Sequence, residues 1–185
     1  MNTWSKFVFL GLIFLKAICH AEGGFGVDLS DSTYGLYVFA AFTDKVGWYG
    51  DLSSSRNSFN DKNVYSFSKT YAETVLGDPR VGTTKNVTAF SAGPLFSLSF
   101  IHDLLYSTYI YGALAIGGEN SYATYYDNTG ILGSNNNYYL KDGNQTVFGA
   151  GIGVIQKFEK WGLKLSYASI SKQISVGISI GFNSL

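Results

Sequence analysis

The chain has 185 residues, of which 13 are basic and 13 acidic, so its formal net charge at pH 7 is zero. Without a surplus of positive charge to neutralise phosphates, a nucleic-acid partner is disfavoured. Only 14% of the residues are charged, whereas 17% are aromatic and glycine occurs 22 times. This composition favours β-structure, and it suits a protein in which a band of the surface never meets water.

The first 21 residues have the pattern of a secretory signal peptide. Lys6 provides the positive charge, and residues 7–15 form an apolar run that is shorter than the roughly 20 residues of a membrane-spanning helix. We predict cleavage after Ala21 and one domain over residues 22–185. The residues before Cys19 do not match a lipoprotein signal. Cleavage would remove this cysteine, so disulfides and Cys-based metal sites are not expected.

Most of the remaining chain alternates between apolar and small or polar residues, with the period of two that is typical of β-strands. In the clearest segment, I-S-V-G-I-S-I-G-F, every second residue is bulky and apolar and the others are Ser or Gly. This pattern favours a strand with one face toward lipid and the other toward a narrow barrel lumen. The same reasoning predicts eight strands: 24–30, 34–42, 46–53, 88–100, 106–118, 145–158, 162–170 and 174–182.

The connections between these strands alternate in length. The links 43–45, 101–105 and 159–161 are short, whereas the polar segments 54–87 and 119–144 are long. Outer-membrane barrels have short periplasmic turns and longer external loops. Because no segment after the signal peptide is apolar enough to cross as a helix, the backbone must close its hydrogen bonds in a barrel. We therefore predict an all-β fold, an eight-stranded antiparallel up-and-down transmembrane β-barrel.

Five short motifs follow one another along the strands: S-A-G-P at 91–94, Y-I-Y-G at 109–112, F-G-A-G at 148–151, L-K-L-S-Y at 163–167 and G-I-S-I-G-F at 177–182. In order and spacing they resemble the small eight-stranded outer-membrane barrels of the OmpX/Ail-like and OmpA-transmembrane-like group. The resemblance covers nearly all of the chain after the signal peptide. It implies a location in the outer membrane of a Gram-negative bacterium, with outer-membrane lipid as a partner.

Few residues could support catalysis. His102 is the one histidine after the signal peptide, and its neighbour Asp103 would point to the opposite side of a strand. The glycine-rich stretch 149–153 lacks the following helix that a nucleotide-binding loop requires. A barrel-type lipid A deacylase would need a histidine on a late strand, and none follows His102. We predict no enzymatic activity, no metal site and no cofactor.

Three charged residues fall on the small-residue face of predicted strands: Asp28, Asp51 and Lys164. Buried charges need partners, so we favour an ion-pair network that fills the lumen. The alternative is a polar permeation path, although eight strands leave room for little more than side chains. Three tyrosines are expected to help fill this space: Tyr37, Tyr49 and Tyr111.

The two long polar segments contain many aromatic residues. Eight of them are candidates for contacts with a partner outside the membrane: Tyr65, Phe67, Tyr71, Tyr122, Tyr125, Tyr126, Tyr138 and Tyr139. Exposed tyrosines mark contact surfaces because they bury a large area at a low entropic cost. The alternative is that they extend the barrel wall or lie at the lipid headgroups.

Two functions fit this sequence. The first is a surface interaction or adhesion protein, a monomer whose external loops bind a host molecule, matrix or another cell. The second is a structural protein of the envelope or a small pore. A soluble lipocalin-like barrel is disfavoured, because its cavity would need an apolar lining and the inward face here is Gly and Ser. The sequence does not separate the first function from the second.

Overall fold

A computed structural model of the protein describes residues 22–42, 45–55, 63–98, 108–132 and 136–182. The predicted signal peptide, the predicted link 101–105 and the pair His102 and Asp103 lie outside the described residues, as does most of the link 43–45. Within the described residues, no helix has the length and apolar character needed to cross a membrane. The helix and strands are β1 (Glu22–Leu29), β2 (Thr33–Ala41), β3 (Val46–Ser55), β4 (Val64–Tyr65), α1 (Lys69–Thr74), β5 (Arg80–Ser97), β6 (Thr108–Tyr126), β7 (Asn137–Phe158), β8 (Trp161–Ala168) and β9 (Gln173–Phe182).

Eight of the described strands form a closed ring. The order is β1, β2, β3, β5, β6, β7, β8 and β9, and β9 pairs again with β1. Every pairing within the ring is antiparallel. The short strand β4 lies outside the ring and pairs in parallel with β7. The predicted eight-stranded up-and-down barrel is therefore confirmed.

The outer surface of the ring is apolar. On β9 the four alternate residues from Ile174 to Ile180 are 55–66% exposed, whereas Gly177 and Ser179 between them are buried. Leu114 on β6 is 80% exposed. A water-soluble protein rarely exposes a continuous apolar band of this kind, whereas a transmembrane barrel needs one. The two faces of the strands are those predicted from the alternation.

Three neighbouring strands are much longer than the others. β5, β6 and β7 have 18, 19 and 22 residues, whereas the other five ring strands have 8–10. The pairing register aligns Phe90, Ile116 and Phe148 in the last apolar row of the outer face. Two rows further out lies a row of asparagines: Asn86, Asn120 and Asn144. The three strands therefore leave the bilayer and continue outside it.

The predicted long loops, 54–87 and 119–144, contain more regular structure than the sequence suggested. The first includes β4, α1 and the start of β5, and the second includes the end of β6 and the start of β7. The helix α1 begins at Ser68, whose hydroxyl accepts a hydrogen bond from the backbone nitrogen of Tyr71 at 3.1 Å. Outside the membrane the outer face becomes polar, so the apolar alternation stops although the strands continue. We call residues 63–87, 118–132 and 136–146 the head.

Candidate functional site

The three charged residues predicted to face the lumen meet inside the barrel. The Nζ of Lys164 donates to Oδ2 of Asp28, to the hydroxyl of Tyr49 at 2.6 Å and to Oδ2 of Asp51 at 3.4 Å. The side chains of Lys164 and Asp28 are only 1% and 7% exposed. Because the ammonium group is surrounded by acceptors, the charge can be buried without being left unpaired.

Aromatic rings fill the lumen around this ion pair. The Nζ of Lys164 lies 4.4, 5.1 and 5.9 Å from the ring centroids of Tyr37, Tyr49 and Tyr111. The rings of Tyr49 and Tyr111 stack with their centroids 3.6 Å apart. They belong to one buried cluster: Tyr37, Phe39, Ala41, Tyr49, Leu95, Tyr109, Tyr111, Ala113 and Ile155. These side chains occupy the section of the lumen that a permeation path would need.

A second ion pair, in which only the lysine is buried, lies at the end of the lumen where the described chain begins. The Nζ of Lys157 is 2.6 Å from Oε1 of Glu22, and the lysine side chain is 3% exposed. The sequence analysis missed this pair because it considered only charged residues that alternate with apolar ones in the clearly patterned part of each strand. Extending the inward phase of β7 from Gly153 by two steps of two residues places Lys157 in the lumen.

On the opposite side of Lys164, a polar cavity with about 40 Å³ of free space opens above the aromatic cluster. We call this cavity the vestibule. Its walls carry hydroxyl and carboxylate groups from several strands: Asp28, Thr33, Asp51, Ser91, Ser166 and Ser175. The vestibule is therefore a polar pocket whose floor is formed by Lys164 and the tyrosines.

The head has a hydrophobic core of its own. Its buried members come from α1, β6 and β7, and three partly buried residues pack against them: Ala72, Ala123, Tyr125, Tyr138 and Leu140, with Tyr65, Phe67 and Leu132. The rings of Tyr125 and Tyr138 stack with centroids 5.6 Å apart, and the ring of Tyr65 meets that of Tyr138 edge-on at 5.9 Å. β4 is therefore packed against the extended sheet through aromatic contacts, and α1 joins the same core through Ala72.

Polar groups fix the edges of this core. The hydroxyl of Tyr138 donates to Oδ2 of Asp78 at 3.0 Å, and that of Tyr125 donates to Oε1 of Glu73 at 2.8 Å. Burial and the Glu73 carboxylate raise the pKa of Tyr125 to about 12, so this hydroxyl stays protonated at neutral pH. Burial likewise raises the pKa of Tyr138. Asp142 connects the elements further, because it accepts from Lys69 of α1 and from Arg80 of β5.

A buried carboxylate holds the connection between β6 and β7. Asp127 is 0% exposed and accepts hydrogen bonds from the backbone nitrogens of Thr129 and Leu132 at 2.8 and 2.5 Å. The hydroxyl of Thr129 donates a third bond at 2.6 Å. Burial opposes ionisation, but these donors outweigh it and lower the pKa of Asp127 to about 2. This ionised side chain therefore fixes residues 127–132, the first part of the connection.

The structure corrects part of the predicted contact set. Tyr125 and Tyr138 are 0% exposed, so they have no surface to offer to a partner. Tyr65 and Phe67 pack against the same core. Tyr71 and Tyr126 are 45% and 40% exposed, and Tyr122 and Tyr139 are half-buried. Of the eight residues, Tyr71 and Tyr126 have the most exposed rings, and their contact with a partner stays a prediction.

Three exposed residues of the head were missed because the sequence analysis considered only aromatic side chains there. Val75 at the end of α1 is 64% exposed, Val81 on β5 is 56% exposed, and Ile131 in the β6–β7 connection is 82% exposed. Together with Tyr71 and Tyr126 they give the head five exposed apolar or aromatic side chains. We call these five residues the head surface.

The comparisons with known proteins agree with the fold. No protein-family model matches the chain, and no curated protein matches it significantly. Similar solved structures include the Yersinia pestis outer membrane protein Ail in a phospholipid bilayer nanodisc, at 14% identity over 88% of this chain and 99% of that chain, with a TM-score of 0.46. Neisserial surface protein A matches at 10% identity over 87% and 91% of the two chains, with a TM-score of 0.37.

The N-terminal β-barrel domain of Pseudomonas aeruginosa OprF is also similar, at 14% identity over 88% of this chain and 96% of that domain, with a TM-score of 0.38. The chain is thus similar to solved structures of small outer-membrane barrels, the group that its sequence motifs resemble. Within the described part of the chain, no group of three or more His, Cys, Asp or Glu residues could hold a metal ion.

Proposed function

We propose that this protein is a non-enzymatic outer-membrane β-barrel of a Gram-negative bacterium that binds a host molecule, matrix or another cell through its head. The apolar outer surface of the ring supports a membrane location, because side chains such as Leu114 and Phe148, 80% and 76% exposed, would be unfavourable in water. The first and last residues of the ring, Glu22 and Phe182, and the β7–β8 turn lie at the end opposite the head. This arrangement supports an external head.

The observation that carries the proposal is the construction of the head. A barrel needs only short connections to close, yet here three strands and α1 build a second hydrophobic core beyond the last apolar row. This core supports exposed apolar residues such as Ile131 and Val75, 82% and 64% exposed. Rigidly held apolar and aromatic side chains bind partners at a low entropic cost.

A structural role in envelope integrity is the second candidate, and the filled lumen is the observation that favours it over a pore. Phe39, Tyr49, Leu95 and Ile155 are at most 1% exposed inside the barrel. A protein of this kind would stabilise the membrane without conducting ions. Planar-bilayer recordings of the folded protein should therefore show no stepwise conductance under conditions in which a known porin conducts.

The adhesion proposal is tested on the head surface. Bacteria that display the protein are compared for attachment to an immobilised basement-membrane matrix and to cultured epithelial cells. The double variant Tyr71→Ser, Tyr126→Ser should bind about tenfold less, as expected for central aromatic contacts. Both rings are exposed, so the head core should stay folded.

Tyr34→Ser is the matched control. Tyr34 is 52% exposed and lies near the same end of the barrel, but it belongs to β2 and not to the head. This control should bind like the unaltered protein. Equal attachment by the double variant, the control and the unaltered protein would count against the head surface and favour the structural role.

A further inference from the structure

We propose that the vestibule binds a small alkylammonium ion, with its nitrogen at the carboxylate of Asp51. This site is separate from the head surface and does not depend on the function proposed for the head. The vestibule and an adjoining cavity each leave about 40 Å³ of free space, so together they hold a ligand of only a few non-hydrogen atoms. Asp51, Ser53 and Ser91 line both of them.

The charges that face the cavity are unbalanced. In the described part of the chain, the charged residues that line it are Asp28 of β1, Asp51 of β3 and Lys164 of β8. These two carboxylates share one lysine, so both can be ionised with their charges balanced only when a second cation is present. In a pocket with little water, one further cation would be favoured and an anion would be repelled.

The hydrogen bonds place this excess charge on Asp51. Asp28 is the close partner of Lys164 and also accepts from the hydroxyl of Ser175 at 3.3 Å. Asp51 has only long contacts: 3.3 Å to the Tyr49 hydroxyl and 3.4 Å to both Ser91 Oγ and Lys164 Nζ. Charge-assisted hydrogen bonds are normally shorter than these, so the carboxylate has unused capacity to accept.

The walls indicate what kind of cation fits. Close to Asp51 the lining consists of hydroxyls from Thr33, Ser53 and Ser91, which can accept the other N–H groups of an ammonium ion. Further along, the adjoining cavity has an apolar lining: Val87, Ala89, Ala115, Ala150 and Ile170. A polar end next to an apolar wall matches an ammonium group that carries a short alkyl chain.

A divalent metal ion fits less well. Calcium takes six to eight oxygen ligands, several of them carboxylates. Here one carboxylate already pairs with Lys164, and the lysine ammonium lies 3.4 Å from the other. A neutral ligand would leave the excess charge of Asp51 uncompensated.

The test uses the full-length protein refolded in nanodiscs, with n-butylammonium as the probe and 1-butanol as a neutral molecule of the same length. Binding is followed by NMR through the backbone amides of Asp51, Ser53 and Ser91. We expect saturable shifts with butylammonium and none with butanol. Asp51→Asn should weaken the binding by about tenfold or more, because it removes the charged acceptor.

Asp31→Asn is the matched control, since it removes the same charge from an exposed position in the β1–β2 turn and should leave the binding unchanged. If Asp51→Asn fails to fold, Ala115→Leu replaces it. That variant keeps Asp51 but fills the apolar wall, and it should also abolish binding. Absence of saturable shifts, equal shifts with butanol, or unchanged affinity in the variants would overturn the proposal.

Discussion

The barrel and the head are built from the same three long strands but have opposite surroundings. Along β6 the inward residues keep one phase from Tyr109 in the barrel to Tyr125 in the head, and both are buried. The outward residues change from apolar, as at Ile116, to polar, as at Asn120. The difference shows that the medium around the sheet, lipid or water, determines whether the outward residues are apolar or polar.

The two interiors also differ in how they are stabilised. The barrel encloses a buried lysine between two carboxylates and several tyrosine rings. The head encloses stacked aromatic rings, and its polar groups lie at the edges of the core. Substitutions in one region should therefore destabilise that region without unfolding the other.

The largest effect is expected in the barrel. Lys164→Met would leave Asp28 and Asp51 buried without a cation, which should lower the free energy of unfolding by about 3–5 kcal/mol. Urea unfolding of the protein in lipid vesicles measures this loss. Lys160→Met, in the exposed β7–β8 turn, is the control and should change little. Equal unfolding midpoints for the two variants would show that the lumen ion pairs are not needed.

In the head, Tyr138→Ala would remove a ring that is 0% exposed and leave Asp78 without its hydroxyl donor. We expect a local loss of about 3–5 kcal/mol, as for other large-to-small core substitutions. Hydrogen exchange should accelerate in residues 118–146 and stay unchanged in β1 and β9. Tyr139→Ala, one residue away on the half-buried outer face, should have a smaller effect. Acceleration throughout the barrel would contradict two separate cores.

The outer face of the barrel can be tested against its inner face on one strand. Ile178, 55% exposed, faces lipid, and Ile178→Arg should cost about 2–4 kcal/mol near the middle of the bilayer. Ser179 is 3% exposed and faces the lumen, so Ser179→Ala should cost less than about 1 kcal/mol. Refolding equilibria in vesicles provide both values. The reverse order would mean that the two faces are exchanged.

The smallest expected effect is the loss of stability at low pH that follows from protonation of Asp127. The pKa of Asp127 falls from its ordinary value of 3.8 to about 2 in the folded head. Its stabilisation is therefore complete above about pH 4 and is lost as the pH falls through 2. Protease cleavage of the β6–β7 connection should rise below pH 4 in the unaltered protein. In Asp127→Asn cleavage should already be high at pH 7, with little further change on acidification.

The sequence predicted the structure well where the outer face of the strands is apolar and poorly where that face is polar. The strands, their faces and the inward positions of Asp28 and Lys164 were predictable. A face that contacts lipid must be apolar, so apolar and small residues alternate in the sequence of these strands. The head was not predictable in this way, since the contact between Tyr138 and Asp78 joins residues 60 positions apart. Tyr125 was assigned to the surface although the inward phase of β6, followed from Tyr111, places it inside.

The most direct test of the account removes the head and keeps the barrel. Residues 55–87 and 121–143 are each replaced by an Asn-Gly turn, which joins the paired residues Ser54 with Thr88 and Asn120 with Asn144. The shortened protein should fold into a barrel whose gel mobility changes on boiling, and bacteria that display it should no longer attach to matrix or cells. Failure of the barrel to fold, or attachment equal to that of the full protein, would contradict the account.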